Sequence, residues 1–234
     1  FTHYKCLPHV SAFSSDYGFV SGACSPAEGL RFWEYWFDMG TDERIQNICS
    51  QKDTINKQKY INTVLSHITT PAMPMITGYL GHALHLDMLQ KQFPDAIYVR
   101  LRRDPLSTAK SILEARRKSN VEEWFSVFPV ECDKYLAEDI IGQVASQVFM
   151  LNRRMETDLK SSRVIDISFE DVCASPSTVV DKIINYCNNQ GLNLERSAKI
   201  PDAFPVSLRS RDEDEDSFHL WRELDNLKNQ YTDS

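Results

Sequence analysis

The run IYVRLRRDPLSTAKSILEARRK, from Ile97 to Lys118, does more than any other stretch to limit what this chain can fold into. Ile97, Val99 and Leu101 alternate with Tyr98 and Arg100, the two-residue period of a strand, and Asp104-Pro105 then supplies a turn and a helix start. Arg103 therefore stands at the carboxyl end of a strand that feeds directly into a helix. Ligands of open α/β sheets gather at that end, where loop backbone, helix N-terminus and side chains converge. The expected ligand is an anion.

Arg103 and Ser111 are eight residues apart. If the helix starts near Pro105, Ser111 lies about two turns in, on the flank where a ligand could bridge it to the arginine. A guanidinium fork and a hydroxyl suit a terminal phosphate. The plainer reading has Arg103 paired with Asp104 or capping a carbonyl, and Ser111 as a tolerated helix residue. Spacing alone leaves both open.

Other stretches share the same logic. HALHLDMLQKQFPDA, from His82 to Ala96, reads as a helix leading into a turn ahead of the strand, and RVIDISFEDVCASPSTVVDKIINYC, from Arg163 to Cys187, as a later strand, a turn and a helix. Together with the central run, these segments resemble the sulfotransferase family. There a strand runs into Arg-Asp-Pro, a helical Ser follows eight residues after the Arg, a Phe-Pro-Asp-Ala turn precedes the strand, and a Tyr-Glu-Asp-like turn comes later. Phe169 takes the place of that Tyr. The resemblance implies an α/β fold of three layers, a mostly parallel sheet flanked by helices of the P-loop NTPase-like sulfotransferase type. It also implies 3′-phosphoadenosine 5′-phosphosulfate as cosubstrate, with Arg103 and Ser111 on its 3′-phosphate.

The remaining chain fits one α/β domain over residues 1–234. With 42% hydrophobic residues it can build a sizeable core. Strands are expected at Pro71 to Thr77, Ile97 to Arg102 and Arg163 to Ser168. Helices are expected at Gln51 to Ile68, His82 to Gln92, Pro105 to Ser119, Leu136 to Leu159, Ser177 to Gln190 and Phe218 to Tyr231. Ser25-Pro26-Ala27-Glu28 has the form of a capping box and should open the aromatic helix RFWEYWFDMG, a core helix that also offers a wall to an acceptor pocket. Phe1 to Gly29 mixes aromatics with Pro, Gly and Ser, which reads as surface loops. The acidic run RDEDED, Arg211 to Asp216, reads as a solvated loop.

Charge and cysteines exclude several classes. The net charge of −7 provides no basic field for a nucleic-acid backbone. Cys6, Cys24, Cys49, Cys132, Cys173 and Cys187 form no C-x-x-C pair, so they read as reduced thiols and point to a cytoplasmic protein without a zinc site. No apolar run reaches the roughly 20 residues a membrane span needs.

Sulfuryl transfer needs positioning, stabilisation of departing charge and a base, and it needs no metal. The resemblance puts the base just after the strand preceding the Arg-Asp-Pro element. His82 is the nearer candidate and His85 the second, since three-residue spacing keeps both on one side of a helix. The acceptor is expected to be a small molecule, a saccharide or a lipid bearing a hydroxyl or amine.

Two departures from the family stand out. Gly78 occupies the place where many relatives carry a Lys that steadies the sulfuryl group. The Pro-Arg-Ser-Gly-Thr-Thr-like loop that holds the 5′-phosphosulfate on backbone N–H groups is found nowhere in the sequence. The chain opens on Phe1, and the expectation is that this loop and its strand belong before it, so that the fold as given is N-terminally incomplete. A non-catalytic nucleotide-binding or interaction protein that kept the fold is the alternative. A related kinase is a weaker one, because no Walker loop is present.

Overall fold

The computed structural model describes residues 14–16, 19–21, 29–44, 51–70, 73–121 and 124–232. In chain order these residues form β1 (Ser14–Asp16), β2 (Phe19–Ser21), α1 (Leu30–Phe37), α2 (Gln51–Ile68), α3 (Leu86–Gln92), β3 (Tyr98–Arg102), α4 (Pro105–Lys118), α5 (Ile140–Thr157), β4 (Val164–Ser168), α6 (Phe169–Ala174), α7 (Pro176–Asn189) and α8 (Glu215–Thr232). Short 3-10 helices lie at Leu80–Leu84 and Val130–Tyr135. The result is a helix-rich α/β chain with a small parallel sheet.

Local chemistry explains the boundaries near the sheet. Asp104 caps α4 by accepting a bond from the Ser107 N–H at 2.7 Å, Pro105 takes the first helical position, and Arg116, Arg117 and Lys118 face the negative end of the helix dipole. Ser168 ends β4 and caps α6 through the Asp171 N–H. α1 starts behind Gly29, whose φ of 74° lies in the left-handed region that a side chain disfavours. The capping box at Ser25 to Glu28 falls outside the described residues.

β3 and β4 pair in parallel, with Val99 opposite Ile165 and Leu101 opposite Ile167. α7 covers the β4 half of this face, burying Ile165 and Ile167 against Val179, Ile183 and Tyr186. The β3 half is open: Val99 and Leu101 remain 47% and 50% exposed. On the opposite face Arg100 grips Asp166 through two bonds, at 2.5 and 2.8 Å, and Arg102 adds a third at 3.2 Å. Among the described residues β3 has no second neighbour.

That observation accounts for one misread element. The strand expected at Pro71 to Thr77 does not form in its described part: Met73 makes only an isolated bridge to Thr70, and the residues after it have no regular structure. Ile76 is 87% exposed. Apolar residues become a buried strand only when another strand supplies hydrogen-bond partners, and none does so among the described residues.

Two larger clusters form among the helices. α4, α5 and α8 close around Leu106, Leu113, Ile141, Val144, Val148 and Leu220, each worth roughly 1.5–3 kcal/mol of burial. α1, α2 and α3 close around Trp33, Phe37, Ile61 and Leu89. Cys132, Cys173 and Cys187 are buried free thiols.

Candidate functional site

Arg103 follows the last residue of β3 and is half-buried. Its guanidinium lies over the Phe169 ring, 4.8 Å from the centroid, and its buried Nε has no hydrogen-bond partner. Asp104 is occupied with capping α4 and forms no pair with it. The neighbouring carboxylate, Glu170, is committed elsewhere, accepting from the Asp104 N–H at 3.1 Å and the Ser168 hydroxyl at 2.8 Å. Burial works to raise the Glu170 carboxyl, but those two bonds and the nearby Arg103 charge outweigh it and hold it below its ordinary value. The rim of the sheet thus presents a cation stacked on an aromatic face with its donors unspent.

Ser111 is half-buried on α4, one turn beyond the buried Ser107. The Ser107 hydroxyl accepts from the Arg209 backbone N–H at 2.9 Å, so the segment before α8 lies against the same flank of α4. Its basic residues are engaged: Arg209 bonds Glu114 and Glu213, while Arg211 lies over the Trp221 ring and pairs with Asp212. The acidic run is exposed from Arg211 to Glu215 and leads into α8, and two of its carboxylates are nonetheless anchored to α4. Lys110, almost fully buried, reaches Asp214 at 2.7 Å and Asp216 at 3.3 Å, and Arg117 takes Asp216 at 2.5 Å. The Lys110 bond, with one from the Ser217 backbone N–H at 2.8 Å, holds the Asp214 carboxyl at about 2.

His82 sits in the 3-10 helix at Leu80–Leu84, inside a cage of rings. Trp33 meets it edge-on at 4.4 Å and Tyr79 at 5.3 Å. Gly81 makes this possible, since a Cβ there would come within 2.5 Å of the Tyr79 ring. Burial, aided by the charge of His85, pushes His82 down to about 4, and its Nε2 is buried without a partner. His85 differs: its Nε2 donates to the Gly40 carbonyl at 3.1 Å, so that nitrogen is spent. Close by, Arg154 of α5 bonds Glu43 at 2.6 Å, Glu131 at 2.9 Å and the Leu84 carbonyl at 3.5 Å, pinning the 3-10 helix to α5. Gly78, just ahead, has open space around the position of a Cβ.

The predicted residues lie on separate elements: Arg103 directly after β3, Ser111 two turns into α4, and His82 in the 3-10 helix against the aromatic cluster of α1. Among the described residues no bond or ring contact joins them. The Trp33 and Tyr79 cage escaped the sequence reading, although the aromatic run around Trp33 was the signal for it. Two cavities lie nearby. One of about 390 Å³ opens at the amino end of β3, away from Arg103, among Gln90, Lys91, Phe93, Tyr98 and Lys160. The other, of about 230 Å³, lies between α1, α2 and the segment 73–75. Among the described residues no group of three or more His, Cys, Asp or Glu is placed to hold a metal ion, and no helix is long and apolar enough to cross a membrane.

Comparison with known proteins gives one match, to a family model described as "Sulfotransferase family", over residues 32–192. Those residues hold His82, Arg103 and Ser111 and run from α1 past the end of α7. No curated protein and no solved structure matches the chain.

Proposed function

The chain belongs to the sulfotransferase family, and on that premise we propose that it transfers a sulfuryl group from 3′-phosphoadenosine 5′-phosphosulfate to the hydroxyl or amine of a small acceptor. Arg103 and Ser111 grip the 3′-phosphate. His82 takes the acceptor's proton. The acceptor oxygen or nitrogen forms a bond to sulfur, the bond from sulfur to the 5′-phosphate oxygen breaks with its electron pair staying on the phosphate, and the proton passes to Nε2. The reading includes a three-layer fold with a wider parallel sheet, supported by the open β3 edge, a single domain over 1–234, and a cytoplasmic setting, supported by the free thiols Cys132, Cys173 and Cys187.

One observation carries the donor assignment: the Arg103 guanidinium stands at the carboxyl end of a parallel strand, stacked on Phe169 and without a protein acceptor. A half-buried cation left unpaired is costly to keep unless a ligand anion completes it. His82 is favoured over His85 because its Nε2 is free and its ring is neutral at pH 7.

Calorimetry with 3′-phosphoadenosine 5′-phosphate tests the assignment. Losing a charge-assisted bond costs about 1.5–3 kcal/mol, so Arg103→Ala should weaken binding about ten- to a hundredfold, and Ser111→Ala by less. Equal affinity in the parent and both variants would refute it. Gly78, where a lysine is missing, favours the second reading of a nucleotide-binding protein without transfer. Binding of the nucleotide with no sulfated product from any acceptor would decide for that reading.

A further inference from the structure

We propose that the turn from Ser168 to Glu170 is a positioning device for Arg103: Phe169 holds the guanidinium in place, and Ser168 keeps the Glu170 carboxylate from neutralising it. This deepens the donor reading above and rests on it. The pairing of β3 with β4 ends at Arg102 opposite Ser168, so Arg103 and Phe169 leave the sheet side by side. Phe169 opens α6, whose first turn is capped by the Ser168 hydroxyl accepting from the Asp171 N–H at 3.2 Å. The ring meets the guanidinium from that capped end, 4.8 Å from its centroid. An aromatic face attracts a guanidinium without taking up its in-plane N–H groups, so the stack fixes Arg103 and leaves it able to receive an anion.

The carboxylate that could cancel this charge is Glu170. It feels the Arg103 charge but forms no ion pair with it, because both of its oxygens are occupied. One accepts from the Asp104 N–H at 3.1 Å, which ties α6 to the turn between β3 and α4. The other accepts from the Ser168 hydroxyl at 2.8 Å. Remove that hydroxyl and the second oxygen loses its donor, with the Arg103 cation beside it as the replacement. Ser168 therefore acts twice, capping α6 beneath the ring and restraining the competing acid. Neither residue needs to touch the ligand, since both act through Arg103.

Calorimetry of the full chain with 3′-phosphoadenosine 5′-phosphate is the test. Ser168→Ala should weaken binding about tenfold, as a charge-assisted bond is diverted to Glu170. Glu170→Gln should bind at least as well as the parent, and adding it to Ser168→Ala should restore affinity to within about twofold. Loss of the helix cap alone would not be reversed by Glu170→Gln, so the rescue separates the two effects of Ser168→Ala. Phe169→Leu should weaken binding about two- to fivefold, while Phe169→Tyr, which presents the same ring face, should not. In an Arg103→Ala background, Phe169→Leu should cost nothing further. The proposal is overturned if Ser168→Ala or Phe169→Leu binds like the parent, if Glu170→Gln leaves the Ser168→Ala loss in place, or if the Phe169→Leu loss persists without Arg103. Those outcomes leave the donor reading standing. A parent chain that does not bind the nucleotide overturns the donor reading and this role together.

Discussion

At Gly78 a single hydrogen atom stands where a lysine would be useful, and the surroundings leave room for one. A Cβ there meets nothing within 4 Å, and the residue is exposed. Gly78→Lys should therefore keep the parent melting temperature and raise kcat/KM several-fold by adding positive charge near the departing oxygens, read by product formation at low salt. His82 sets the pH response. Its ordinary value of 6.5 falls to about 4 because burial penalises the charged ring. A group depressed in the folded state adds stability above its unfolded value, and that contribution is lost as pH falls from 6.5 toward 4. Urea midpoints should drop across this window in the parent and drop less in His82→Gln, while the acid limb of kcat/KM should lie near pH 4. Single residues were legible where local chemistry decides them, as with Asp104 at its cap and Arg103 at the strand end. The cage around His82 was not, since Trp33 lies 49 residues away and sequence spacing says nothing about which rings meet.

Helices and strands followed their patterns wherever one face had a partner. α2 runs from Gln51 to Ile68 as its periodicity indicates, and β3 and α4 lie within one residue of their expected ends. α6 went unnoticed because its six residues follow β4 without a break, marked only by the Ser168 cap. The segment from Met73 to Thr77 forms no strand, having no neighbour among the described residues. The acidic run is solvated as its composition indicates, but its tie to Lys110 was not legible, since Lys110 is 104 residues from Asp214. That latch ties α4 to the start of α8. Lys110→Ala leaves Asp214 and Asp216 facing each other without their buried cation, and should lower stability by about 1–3 kcal/mol, between the values for surface and buried pairs. Urea unfolding measures it. The same latch weakens in acid: Asp214 is held at about 2 against an ordinary 3.8, so its contribution disappears as pH falls through that interval.

Across the whole molecule, the candidate residues are spread over three bodies of packing, His82 on the aromatic core of α1 to α3, Ser111 on the bundle of α4, α5 and α8, and Arg103 on Phe169 at the end of the sheet, with Arg154 bracing the 3-10 helix of His82 against α5. Residues 32–192 carry the family likeness, while α8 and the acidic half of the latch, Asp214 and Asp216, lie beyond it. The narrow sheet has a consequence of its own. A five-residue ribbon whose border groups lack partners among the described residues, and whose valine and leucine face water, invites other chains to zip onto it. The chain as given should therefore self-associate through this edge in concentrated stocks, and Val99→Lys should slow that association in light scattering.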